Sequence, residues 1–197
     1  LLSVSPTPAF ETTKPMTLRE LTRISPLGCV GMFLMGGVFS AQFGMAAVYG
    51  TERGLTVAEI SIFVTAIYLG ALLLQYPIGW LSDRIDRRVL ILAVSVFGGL
   101  GGFAGFLYDD VFVLLLGAGF IIGGMSNPLY ALLIAYTNDF LEHEDMAAAS
   151  GGLIFINGIG AIAGPLITGW MMGLVGPEGF FLFVAVLLLG LAAYAGF

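Results

Sequence analysis

Charge is scarce in this chain. Of its 197 residues, 10% are Asp, Glu, Lys or Arg, against about 25% in a typical soluble domain, which excludes an ordinary soluble fold. Seven basic residues leave no positive surface on which nucleic acid could bind. One cysteine, Cys29, excludes a disulfide scaffold and reads as a small apolar side chain near a helix start. The one histidine, His143, stands among acids in a loop, where it is a solvated side chain or, on the alternative reading, a pH sensor. No ionisable residue falls in the middle of a hydrophobic run. The chain therefore offers no intramembrane proton carrier, no nucleophile paired with a base and no cluster of metal ligands. Catalytic residues, metals and cofactors are not expected.

What the chain has in abundance is apolar surface and glycine. It is 58% hydrophobic with 16 Phe and 29 Gly, and its mean hydropathy is +1.00. Polar breaks at residues 49–56, 82–88, 108–110, 137–145 and 173–178 divide it into six runs, at 27–48, 57–81, 89–107, 111–136, 146–172 and 179–197. Each is close to the roughly 20 residues that a helix needs to cross a hydrocarbon core. The runs are apolar on all sides, which excludes the short alternating strands of a barrel. The expected class is an all-α membrane protein with six transmembrane helices.

Residues 1–26 differ in kind, with Pro6, Pro8 and Pro15 among Ser, Thr and Glu11. They read as a cytoplasmic linker and lack the basic start and apolar run of a signal peptide. At its end Leu18, Leu21 and Ile24 have helical spacing, either to lie along a membrane surface or to form an ordered turn. The chain begins without Met and stops within an apolar run, so more protein is expected on both sides.

Six of the seven basic residues, Lys14, Arg19, Arg23, Arg84, Arg87 and Arg88, fall at one end of the expected bundle, and only Arg53 at the other. The excess of positive charge assigns the first end to the cytoplasm. The loop 137–145 is acidic and falls on the same side, which is compatible because acids contribute little to orientation. Glu142, Glu144 and Asp145 would favour the start of the fifth span, and Glu59 that of the second.

Polar and aromatic residues recur along single faces of four spans. Met35, Phe39, Gln42 and Tyr49 form such a stripe in the first, and Ser61, Thr65, Tyr68 and Gln75 in the second. Asn127 and Tyr130 continue it in the fourth, and Ser150, Asn157 and Thr168 in the fifth. The third and sixth spans are nearly plain and are expected to face lipid. The set points to a shared cavity lined by spans one, two, four and five. Helix-to-helix hydrogen bonding explains any single residue equally well.

Gly98 and Gly102, Gly101 and Gly105, and Gly160 and Gly164 have the four-residue spacing that lets helix backbones touch. They lie within apolar runs and not between a strand and a helix, which excludes a nucleotide-binding loop. Gly70 precedes Pro77 by the same interval as Gly158 precedes Pro165. With the twofold order striped, striped, plain, this suggests two inverted three-helix repeats.

The string Gly79-Trp80-Leu81-Ser82-Asp83-Arg84-Ile85-Asp86-Arg87-Arg88-Val89-Leu90-Ile91 resembles the cytoplasmic loop signature of the major facilitator superfamily (MFS). It departs at Asp86, where the family usually has glycine, which puts the tight turn there in question. The sequence from Gly151 through Gly160, Gly164 and Pro165 to Gly169 is similar to the glycine-proline signature of the drug-antiporter branch. The resemblance implies half of a twelve-helix fold. The basic linker, the absence of a basic residue from the fourth span and Asn127-Pro128-Leu129-Tyr130 resemble the C-terminal half, helices TM7 to TM12, of bacterial permeases. The N-terminal half is the alternative.

On that resemblance the chain is a half-unit of a secondary transporter that moves a small solute by alternating access, and the titrating carboxylate of a proton-coupled efflux would belong to the other half. Phe39, Gln42, Tyr68, Asn127, Tyr130 and Asn157 are the candidate solute-binding residues, suited to an uncharged, amphipathic or aromatic solute or to a cation held by ring faces. Gly79, Asp83, Arg84, Arg87 and Arg88 form a candidate conformational latch, in which Asp83 faces the positive N-terminus of a neighbouring helix, worth about 0.3–2 kcal/mol. The arginines could pair with Asp139, Glu142 or Glu144, hold anionic lipid, or serve topology alone. Gly160, Gly164 and Pro165 are candidates for packing and a kink. The expected partners are the other six-helix half, the lipid bilayer of a bacterial inner membrane, the solute, and a second copy if the half stands alone. A six-helix oligomeric pore is the alternative function, although no filter-like ring is present.

Overall fold

The computed structural model describes residues 16–197. The linker residues up to Pro15, Lys14 among them, lie outside the described residues. Six helices are long and apolar enough to cross a membrane: Pro26–Glu52, Val57–Ser82, Arg87–Tyr108, Phe112–Asn138, Met146–Val175 and Gly179–Gly196. They are the first to sixth spans below. The described residues contain no strand, and the chain is an integral multi-pass membrane protein.

The starts of the spans are set by local hydrogen bonding. Ser25 precedes Pro26 and its Oγ accepts from the Gly28 N–H at 3.2 Å, a cap followed by a proline whose missing N–H costs nothing there. Thr56 and Glu59 form a reciprocal capping box at the second span, so Glu59 starts a helix. Asp86 caps the third span by accepting from the Arg88 and Val89 N–H groups at 2.8 and 3.1 Å. Its φ of −56° needs no glycine, and the departure from the family pattern replaces a turn residue with a helix cap. The fifth span ends at Gly176, whose φ of +106° suits only glycine.

Packing follows an exchange between repeats. The second span packs chiefly on the fourth, the fifth on the first, and the third and sixth on each other. Each three-helix unit thus lends its middle helix to the other. Three spans per unit give the two units opposite polarity, the inverted repeat typical of secondary transporters.

The exchanged pairs cross backbone to backbone at glycines. A Cβ on Gly36 would collide with the Asn157 carbonyl, and one on Gly160 with the Phe33 carbonyl. In the other pair Gly123 meets the Ile67 carbonyl and Gly70 the Phe120 carbonyl. In all four contacts the carbonyl belongs to the residue three before the partner glycine. The register of the repeat therefore matches Gly70 with Gly160, not with Gly158, which faces open space. This corrects the expectation drawn from the Gly-Pro intervals.

The plain spans are not the most exposed ones. Only 22% and 17% of the hydrophobic windows of the second and fifth spans are buried, against 50% or more in the other four. The third and sixth spans bury their shared face through Gly99, Gly102 and Gly105, packed on Leu189, Ala185 and Phe181. The uncovered apolar faces belong to the second and fifth spans instead, because these two each pack along one side only.

The first span also departs from expectation. Its α-helical register is interrupted by a π segment, Ala41–Met45. Met35, Gln42 and Tyr49 are buried inside the bundle, and only Phe39 of the expected stripe is partly open.

Candidate functional site

Three of the six solute-binding candidates meet in one chain of rings. Phe39 lies 5.6 Å from Tyr130 and 5.5 Å from Phe43, centroid to centroid, and Phe43 stacks on Tyr68 at 5.5 Å and 14°. The rings come from the first, second and fourth spans and so from both repeats. Phe43 and Tyr68 are 48% and 52% exposed, and these ring faces look outward from the bundle. Phe43 was not among the sequence candidates. Its position four residues after Phe39, one turn along the same face, was the signal available.

The polar candidates are engaged in hydrogen bonds within and between the helices. Gln42 is 2% exposed and bridges the first span to the fourth: its Nε2 donates to Ser126 Oγ at 2.8 Å and to the Ile122 carbonyl at 3.4 Å. Ser126 was missed because serine in a helix so often bonds its own preceding turn, as it also does here to Ile122. The Gln42 Oε1 is buried without a partner among the described residues. Asn127 donates to the Gly123 carbonyl at 3.4 Å, one turn from Tyr130. Asn157 is apart from the rings and donates to the Met32 carbonyl at 2.9 Å, tying the fifth span to the first at the glycine crossing.

The latch residues cluster at the end that carries Arg19, Arg23, Arg84, Arg87 and Arg88, all the described basic residues but Arg53. Asp83 is exposed and lines a cleft of about 260 Å³ with Gln75, Gly79, Ser82, Arg87 and residues of the fourth span. Arg87 pairs with Asp139 and reaches Ser82 Oγ at 3.4 Å. Arg84 folds back over Trp80, 3.7 Å above its ring, and donates to the Trp80 carbonyl, a cation–π contact. Arg88 donates to the Ala195 carbonyl at 2.8 Å and so caps the end of the sixth span. The three arginines thus have three different roles. At the same end Ser25 Oγ and Thr137 Oγ1 share a buried hydrogen bond of 3.0 Å, and Leu21 of the short helix Leu18–Ile24 packs on Gly152. Gly164 abuts Ser40 and the Gly37 carbonyl, while Pro165 lies within the unbroken fifth helix.

At the opposite end Arg53 bridges Asp109, at 2.9 Å, and Asp110. Tyr49 donates its hydroxyl to Asp109 at 3.2 Å. Burial pushes the Asp109 carboxyl above its ordinary value despite the pull of Arg53. Among the described residues no group of three His, Cys, Asp or Glu side chains could hold a metal ion.

The profile of the Major Facilitator Superfamily matches residues 28–197. The "Uncharacterized MFS-type transporter YfkF" of Bacillus subtilis is 28% identical over 188 residues, covering 92% of this chain and 47% of that protein. The "Uncharacterized MFS-type transporter YcaD" of Escherichia coli is 28% identical over 150 residues, 76% of this chain and 38% of that protein. The chain spans about half the length of the curated relatives it matches or less. Helices, inverted repeat and profile agree, and the chain belongs to the Major Facilitator Superfamily, a family of transporters and not of enzymes.

Proposed function

We propose that this chain forms the C-terminal six-helix half, TM7 to TM12, of a secondary active transporter. In that reading the other half of the same polypeptide packs on the uncovered faces of the second and fifth spans, and a small solute moves between the halves by alternating access. The observation that carries the reading is the open chain of Tyr130, Phe39, Phe43 and Tyr68, built from both repeats and exposed beside the face left uncovered by the second span. Ring faces and two hydroxyls suit an uncharged amphipathic or aromatic solute, or an organic cation. Gln42 ties the first span that carries Phe39 and Phe43 to the fourth that carries Tyr130, and Asn157 ties the first to the fifth.

The end bearing Arg84, Arg87 and Arg88 is assigned to the cytoplasm of a bacterial inner membrane by its positive charge. There Asp83, exposed and without an ion pair among the described residues, latches onto a helix terminus of the other half in one conformation only. Coupling to protons, and with it efflux, then rests on a carboxylate of that other half, because no span here carries an acid at its centre.

Counterflow of labelled solute into liposomes holding the full-length protein tests this reading. A carrier shows counterflow, whereas a six-helix pore formed by association of copies shows conductance without it. Asp83→Ala should insert normally and lose most transport; unchanged transport would remove the latch.

A further inference from the structure

The two exchanged crossings share one register and are packed differently. In the second span Leu73 and Leu74 stand three and four residues beyond Gly70; at the same places beyond Gly160 the fifth span has Ala163 and Gly164. Leu74 reaches across its crossing, with Cδ1 2.5 Å from where a Cβ on Gly124 would be. Gly164 has no side chain to offer Gly37, the counterpart of Gly124. A cavity of about 40 Å³ remains there, bordered by Gly37, Ala163 and Gly164 and by Phe183 and Leu187 of the sixth span. Its lining residues are all apolar, so water cannot stand in for the missing side chain. The helices forgo the contacts that a leucine makes at the other crossing.

Two more irregularities lie on the same seam. Ser40 abuts Gly164, and the π segment Ala41–Met45 starts at the next residue, whereas the fourth span is α-helical throughout, Phe112–Asn138. Within that segment the Gln42 Oε1 is buried with no partner among the described residues. A π turn departs from the regular helical ladder, and a buried oxygen without a donor favours any rearrangement that supplies one. Lost contacts, an irregular ladder and an unpaired oxygen thus gather where the first span crosses the fifth. The crossing of the second and fourth spans has its leucine in place and an unbroken α-helix on each side.

We propose that the two crossings have different duties: the second and fourth spans move as one rigid pair, and the first slides on the fifth into the space that the missing leucine leaves. The slide carries Phe39 past Tyr130 and Phe43 past Tyr68, so the aromatic chain is made and unmade at these two contacts. Distances between spin labels in the full-length protein, in lipid nanodiscs and with its other cysteines replaced, test the difference. One pair, Thr51→Cys with Glu144→Cys, stands at opposite ends of the first and fifth spans; the other, Val57→Cys with Phe140→Cys, at opposite ends of the second and fourth, and all four positions are exposed. The first pair should give a distance distribution wider than the second by about 1–2 Å, the size of common interhelical shifts. Ala163→Leu, which supplies the side chain that the second span has at Leu73, should narrow it to the width of the second pair and raise the melting temperature. Ala163→Val, the smaller filling, should act in the same direction. Leu74→Ala, at the rigid crossing, should lower the melting temperature and leave the first pair's distribution as it is. Equal widths in the parent, or a width that neither filling narrows, would overturn the slide. A melting temperature lowered by both fillings would mean that the space is not there, and would overturn it too. The distances require no solute, so absence of counterflow would remove the transporter reading and leave the slide standing.

Discussion

Two groups of four aromatic rings occupy the same bundle, with nearly the same ring spacings and opposite exposure. Tyr49, Phe63, Phe180 and Phe181 are fully buried, with centroids 5.1–6.3 Å apart. Tyr130, Phe39, Phe43 and Tyr68 are linked at 5.5–5.6 Å and left partly open. Ring chemistry and spacing are thus no guide to role. The closed group is completed by the sixth span, which supplies two of its rings and shuts out solvent. The open group has no such lid within this chain, and its faces are available to something else.

Breaking the closed group should have the larger effect on stability. Phe181→Ala removes a ring that touches three others and should cost about 3–5 kcal/mol, read as a lowered melting temperature in detergent. A loss below about 1 kcal/mol would mean that the two groups do not differ as described. Gly160→Val forces a side chain into the Phe33 carbonyl and should cost about 1–3 kcal/mol. Crosslinking between Cys residues placed in the first and fifth spans would report their separation. Tyr49→Phe removes one hydrogen bond to Asp109 and should cost about 1 kcal/mol, with the closed rings still packed. Phe43→Ala sharpens the contrast from the other side: stability within about 1 kcal/mol of the parent, and solute counterflow reduced about tenfold. The smallest effect concerns pH. The raised Asp109 carboxyl holds its proton more tightly folded than unfolded. Its contribution to stability is complete below the ordinary carboxyl value of about 3.9 and is lost as pH rises through the raised folded value. Melting temperature measured against that of Asp109→Asn should fall over that window; a rise would reverse the assignment and make the Arg53 pair dominant.

Much of this was legible in the residues. Six spans follow from run length alone, and the capping boxes and the Asp83-to-Arg88 loop are local patterns whose partners lie a few residues away. The second span's stripe of Ser61, Thr65, Tyr68 and Gln75 is exposed as its periodicity suggests. The first span's stripe is not, and for Tyr49, beyond the π segment, the reason is physical. A π turn holds one residue more than 3.6-residue periodicity allows, so the segment Ala41–Met45 rotates everything after it. Tyr49 then falls on the face opposite the one that Phe39 presents. Nothing in Ala-Gln-Phe-Gly-Met announces such a turn. The glycine crossings were half legible. Spacing exposed Gly160 and Gly164, but their partners Gly36 and Gly37 stand more than a hundred residues earlier, and a one-dimensional pattern does not say which helices meet. Polarity likewise misjudged the third and sixth spans, since an all-apolar helix is equally at home against lipid and against another helix.

The exchange of middle helices has a consequence for how the protein is made. During synthesis the first span enters the bilayer long before the fifth has been translated, yet its closest neighbour is the fifth. The second span waits in the same way for the fourth. The first three helices therefore cannot settle into their final places as a unit, and a ribosome paused after Tyr108 would display glycine-lined seams with nothing to close them. Both glycine crossings therefore close only once the fourth and fifth spans are in place.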